Sequence, residues 1–112
     1  MGSYTNYELD IKDPHNRVNE MVEYAKKTWE EDYYGIAFLI ANSHMEDSCK
    51  WYNHVDDMCK LSKAFPEARF QLFGEGEEAG DIWHEYYLDG KYQICRAKME
   101  FDEFDENKLE EI

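Results

Sequence analysis

Three groups of side chains in this 112-residue chain are of types that could do chemistry. His44, Cys49, His54 and Cys59 form an H-x4-C-x4-H-x4-C series of zinc-compatible ligands. A step of five residues turns a helix by about 140°, so the four would not converge on one point, and structural zinc sites use closer pairs separated by a longer span. Cys59 also falls on the apolar stripe of its helix, where a free thiol behaves as a small hydrophobe. No metal and no cofactor are expected. The second group is the turn Glu75, Glu77, Glu78 and Asp81 among Gly74, Gly76 and Gly80. Its carboxylates could hold Ca²⁺ or Mg²⁺, but the ligand order of an EF-hand is absent. Paired carboxylates could also act as acid and base on a glycoside, which needs a cleft and one raised pKa. A solvated turn, or a turn that presents charge to a basic partner, asks for less. The third group is a cysteine nucleophile with His84 or His54 as its base, of which Cys95 and His84 are the pair with a geometric reason to meet. They meet only if their two strands pair in register, and inside a sheet they would face the helices, which favours packing over catalysis. No residue is assigned a catalytic role.

The elements that position these groups are read from periodicity. Tyr4 to Ile11 alternates, with Thr5, Tyr7, Leu9 and Ile11 on one face, as a half-buried strand does. Asp13-Pro14 supplies an N-cap and a proline suited to the first helical position. Val18, Met21, Val22, Ala25 and Trp29 then recur at helical spacing, ending near Trp29 or Glu30. Gly35 to Ala41 is a continuous apolar run of strand length, expected as a central strand. His44 to Tyr52 reads as a loop. Asn53 caps a second helix with Val55, Met58, Cys59, Ser62 and Phe65 on one side, Leu61 at its margin, and a stop at Pro66. Three antiparallel strands fill Phe65 to Phe101. Asp89-Gly90 between two β-rich runs is a strong hairpin signal, because a type I′ turn needs φ > 0 at both central residues. The order β-α-β-α-β-β-β predicts an α+β domain over 1–112, with about five strands in an antiparallel or mixed sheet and two helices on one face, ferredoxin-like in topology. Residues 100–112 form an acidic tail interleaved with Phe101, Phe104, Leu109 and Ile112, in which a short helix from Asp105 could dock Leu109 and Ile112.

Composition limits the partners. With 26 acidic against 12 basic residues the net charge is −14, so phosphate and anionic lipid would repel the chain. An aromatic share of 16% argues for a folded chain despite its negative mean hydropathy. No apolar run is long enough to span a bilayer, Asn6 stands where a myristoylation signal needs Ser or Thr, and three unframed cysteines suit a reducing compartment. A cytoplasmic protein is expected.

Two-residue register at Asp89-Gly90 pairs Leu88 with Lys91 and puts Tyr87 with Tyr92, Glu85 with Ile94, and Trp83 with Arg96 on one face. That face, aromatic and half-polar, is expected to be an exposed recognition surface, although a Trp83–Arg96 cation–π pair could equally be structural. Joined to the acidic turn, it yields a candidate partner site of Glu75, Glu77, Glu78, Asp81, Trp83, Glu85, Tyr87 and Tyr92, with Trp83 as anchor and the turn carboxylates steering association.

The stretch Trp51-Tyr52-Asn53-His54, Leu61-Ser62-Lys63-Ala64-Phe65-Pro66, Phe70-Gln71-Leu72-Phe73-Gly74-Glu75-Gly76-Glu77-Glu78, Gly80-Asp81-Ile82-Trp83, Tyr86-Tyr87 and Asp89-Gly90-Lys91 resembles small acidic proteins of bacteriophages and prophages. Those proteins carry a helix ending Leu-Ser-x-x-Phe-Pro, a strand, a Gly-Glu-Gly-Glu-Glu-like turn and a Trp-containing hairpin. The resemblance covers about half the chain and brings no catalytic residue. It implies an inhibitor of host defence nucleases, anti-CRISPR-like or a DNA mimic, acting in the bacterial cytoplasm. The expected function is therefore a non-enzymatic inhibitor or adaptor that binds a basic, nucleic-acid-binding protein. A small metal-dependent or hydrolytic enzyme using the acidic loop is the alternative, and acidity that merely keeps the chain soluble is a third reading.

Overall fold

The computed structural model describes residues 5–29, 35–45, 51, 53–76, 81–98 and 100–111. Strand β1 (Asn6–Lys12) leads into helices α1 (Val18–Thr28), α2 (Ile36–Asn42) and α3 (His54–Ala64). Strands β2 (Arg69–Glu75), β3 (Ile82–Leu88) and β4 (Lys91–Arg96) follow, then a short 3-10 helix at Glu106–Lys108. The fold is α+β, with four strands and three α-helices among the described residues in place of the expected five and two. The sheet runs in the order β1-β2-β3-β4 with every neighbour antiparallel. It contains no β-α-β crossover among the described residues, which a ferredoxin-like topology requires.

The difference comes from the run expected as a central strand. A short apolar run has no period that separates a buried strand from a buried helix. Ile36, Ala37, Leu39 and Ile40 are buried, the i, i+1, i+3, i+4 set of a helix wedged between α1 and β1. Gly35 and Ser43 close its ends in left-handed conformations, φ 71° and 67°. The chain then returns along the outer edge of β1: the Leu9 N–H donates to the Ser43 carbonyl at 2.8 Å and the Met45 N–H to the Tyr7 carbonyl at 3.2 Å.

Helix α1 begins four residues later than Asp13-Pro14 suggests. The Asp13 carboxylate instead accepts from the N–H groups of His15 and Arg17 and from the Arg17 guanidinium, closing a turn ahead of the helix. Hydrogen bonding from Arg17 holds that carboxyl far below its usual range, against the opposing effect of burial. The Arg17 guanidinium also lies 5.3 Å from the centre of the Phe65 ring, joining the start of α1 to the end of α3.

The helices cover one face of the sheet. Tyr7 and Leu9 of β1, Phe70 and Leu72 of β2, and Glu85 and Tyr87 of β3 are buried beneath them with Met21, Ala25, Met58 and Leu61. The Asp89-Gly90 turn has φ 48° and 77°, as expected for type I′, and Leu88 pairs with Lys91. Ser62 of α3 fastens this turn to the helices: its hydroxyl accepts from the Gly90 N–H at 2.9 Å and donates to the Cys59 carbonyl at 3.0 Å.

Candidate partner-binding surface

The face read as an exposed recognition surface is largely the core face, and this corrects the expected site. Glu85 is 1% exposed and Tyr87 is fully buried, because their cross-strand neighbours Leu72 and Phe70 fix that face beneath the helices. The Glu85 carboxylate is the centre of a polar cluster. One oxygen accepts from His54 Nε2 at 2.7 Å and from Trp83 Nε1 at 2.6 Å, and the other accepts from the Tyr87 hydroxyl. Burial pushes the Glu85 carboxyl up, but the bonds from His54, Tyr87 and Trp83 outweigh it and leave its pKa below the usual value. Burial and the adjoining carboxylate push Tyr87 upward, so its hydroxyl stays protonated and donates. Both ring nitrogens of His54 face acceptors, Nδ1 the Trp51 carbonyl at 3.3 Å and Nε2 the carboxylate.

Trp83 is half-buried and spoken for. Its indole lies over Gly74 so closely that an added Cβ would collide with the ring, and Arg96 stacks 5.6 Å from its centre. The expected cation–π pair is therefore present, in a structural role. The signal for this cluster was in the sequence, as Trp-x-Glu-x-Tyr: in a strand, i−2 and i+2 share the face of the central Glu, and here both carry hydrogen-bond donors.

The remaining candidates separate. Glu75 and Asp81 are exposed, and the Gly76 N–H donates to the Asp81 carbonyl at 2.8 Å. Tyr92 on edge strand β4 is 56% exposed. Glu77 and Glu78 lie outside the described residues, as does Cys49 of the zinc-type series. Of that series His54 serves Glu85, His44 is exposed beside Phe38, and Cys59 is half-buried with its thiol pushed up by burial, which disfavours the nucleophilic thiolate. Among the described residues no three His, Cys, Asp or Glu side chains are grouped so as to hold a metal ion. His84 and Cys95 pair in register as expected, but on the open face: His84 is exposed, its ring edge-on to Phe73 at 4.6 Å.

The open face has an electrical polarity that sequence spacing did not reveal. By register, its residues form rows across the strands. Lys12, Arg69, Leu88 and Lys91 make the row at the hairpin end, and Asn6, Glu75 and Ile82 the row at the other. The tail leaves from that second end, where the Ala97 N–H donates to the Ile82 carbonyl at 3.1 Å. The acidic turn and the root of the acidic tail are thus neighbours.

The tail stands away from the body. Phe101, Phe104 and Leu109 are 85%, 81% and 66% exposed, so the expected docking of Leu109 does not occur. A short 3-10 helix does begin after Asp105, whose carboxylate accepts from the Asn107 N–H at 3.0 Å. The molecule measures 60 × 32 × 24 Å with a radius of gyration of 17.7 Å, where a compact chain of this length would have about 13 Å. Between Glu100 and Glu111 lie seven carboxylates and one lysine.

Comparison of the chain with protein-family models, with curated proteins and with solved structures found no match in any of the three. Among the described residues no helix is long and apolar enough to cross a membrane.

Proposed function

We propose that the protein is a non-enzymatic binding module that engages a basic protein through the acidic end of its sheet, with the tail as the principal contact. The observation that carries this reading is the exposure of Phe101 and Phe104 within a segment rich in carboxylates. Large apolar side chains left in water on an extended segment lose nothing by docking, and the carboxylates beside them select a groove rimmed by Lys and Arg. Glu75 and Asp81 extend the same negative pole and raise the rate of encounter. The phage-like resemblance of the hairpin region makes a nucleic-acid-binding host protein, such as a defence nuclease, the partner of choice. Carboxylates there would occupy the Lys and Arg groups that otherwise hold phosphate.

The test is capture from a bacterial lysate on the immobilised chain at about 50 mM and 500 mM salt, salt concentrations at which surface charges act over very different distances. A basic protein held at low salt, released at high salt, and retained poorly by Phe101→Ala/Phe104→Ala is the expected result. Equal capture by that variant would move the contact off the tail, and capture insensitive to salt would remove the electrostatic basis.

A further inference from the structure

The partner reading leaves the cationic end of the open face unused. There Arg69, Leu88 and Lys91, with Tyr86 and Gln93 from the next row, line a shallow open depression. Leu88 is 50% exposed at its centre. Neither Arg69 nor Lys91 has an ion-pair partner among the described residues, and Lys12 beside them reaches only the exposed Asp10, at 3.9 Å. Of the nearby acids, Glu67 is paired with His15 and Asp89 lies in the turn. An apolar floor between two free cations fits an aromatic side chain flanked by carboxylates. This chain carries such a segment at Phe101-Asp102-Glu103-Phe104-Asp105.

We infer that the cationic end of the sheet seats the acidic tail of a second copy of the chain. The seat and the root of the tail are at opposite ends of the sheet, so two copies set antiparallel place each tail over the other's seat. Seven extended residues from Ala97 to Phe104 reach about 24 Å, and a seven-residue strand such as β2 or β3 is about 23 Å long. With the root of each tail already at the neighbour's hairpin end, that reach is ample to lay Phe101 or Phe104 on its Leu88, with Asp102, Glu103 and Asp105 near Arg69 and Lys91. The contact is reciprocal, and it does not rest on the existence of a basic partner.

Sedimentation equilibrium of the full chain at low salt tests it. The expected result is a concentration-dependent dimer that dissociates as salt rises. Arg69→Glu/Lys91→Glu, which removes the seat, and Phe101→Ala/Phe104→Ala, which removes the tail anchors, should each weaken dimerisation by about tenfold or more. All four positions are exposed, so both variants keep the parent's circular dichroism. An equimolar mixture of the two should form a heterodimer that neither variant forms alone, since one supplies an intact tail and the other an intact seat. A monomer at every concentration, or a mixture that behaves as the sum of its parts, overturns the inference. So does a labelled peptide of residues 100–111 that binds the tail variant while the parent stays monomeric, because the tail would then fold back on its own sheet.

Discussion

Replacing Glu85 with glutamine keeps the side chain's size and removes its charge, which isolates what the carboxylate does in the core. Three donors, from His54, Trp83 and Tyr87, converge on its two oxygens. A primary amide offers one oxygen and one NH₂ group, so at least one of the three must face another donor. An unsatisfied buried donor costs about 1–3 kcal/mol, and a hydrogen bond to a charged group contributes about 1.5–3 kcal/mol. We expect Glu85→Gln to destabilise the fold by about 3 kcal/mol, which at a urea dependence of about 1.5 kcal/mol per molar lowers the unfolding midpoint by about 2 M.

The pH dependence distinguishes a charge effect from a packing effect. The folded-state pKa of Glu85 lies below its unfolded value, which is near 4.3 for a glutamate. Its contribution is therefore complete above about pH 4.3 and is lost as pH falls through the folded pKa, because the unfolded state takes up the proton first. Glutamine does not titrate. The stability gap between parent and variant should be widest near neutrality and should shrink on acidification below about pH 4. Urea unfolding of both proteins, followed by tryptophan fluorescence from pH 7 down to pH 3, measures that gap. A midpoint at pH 7 equal to the parent's, or a gap that does not change with pH, would refute the assignment of Glu85 as a buried carboxylate held by three donors.

Other substitutions test the surrounding framework. Ser62→Ala removes the acceptor of the Gly90 N–H and should cost about 1–2 kcal/mol by thermal unfolding. Gly74→Ala places a methyl group where the Trp83 indole lies, and should both destabilise the protein by about 2 kcal/mol and shift Trp fluorescence as the ring is displaced. Phe101→Ala/Phe104→Ala should leave the melting temperature unchanged, within about 0.5 kcal/mol, because neither ring packs on the body.

What could be read from the chain follows from which interactions are local. The hairpin at Asp89-Gly90 was legible down to its register because turn chemistry acts over two residues. The stripe Met21, Val22, Ala25 and the start of α3 after Asn53 were legible for the same reason, although the Asn53 side chain makes no capping hydrogen bond. The run Ile36–Ala41 was not, since every residue in it is apolar, including the half-buried Phe38 and the exposed Ala41, and residue type alone then shows no period. Alternation in Trp83 to Tyr87 was correct in parity but carried no sign. Whether Glu85 or His84 faces the helices is decided by Phe70, Leu72 and His54, which lie far off in sequence. A charged residue between two aromatics looks like surface until a histidine from another element is placed beside it. Tyr92, by contrast, shares the core-side face yet remains exposed, because it sits on the edge strand beyond the cover of the helices.

The same distinction bears on why the candidate site moves from the hairpin face to the tail. An acidic chain can bury a carboxylate only by surrounding it with donors, and Glu85 takes Trp83, Tyr87 and His54 for that purpose. Those aromatics are then unavailable as anchors for a partner. Their loss from the surface leaves Phe101 and Phe104 as the most exposed large apolar groups among the described residues. Two phenylalanines exposed in water on the tail lower solubility and contribute little apolar burial to the fold. The segment leaves the sheet at the end that carries Glu75 and Asp81, where like charges disfavour its return. On the proposed reading, the complement of such a segment is a cationic surface on another molecule, whether a basic protein or the far end of a second copy.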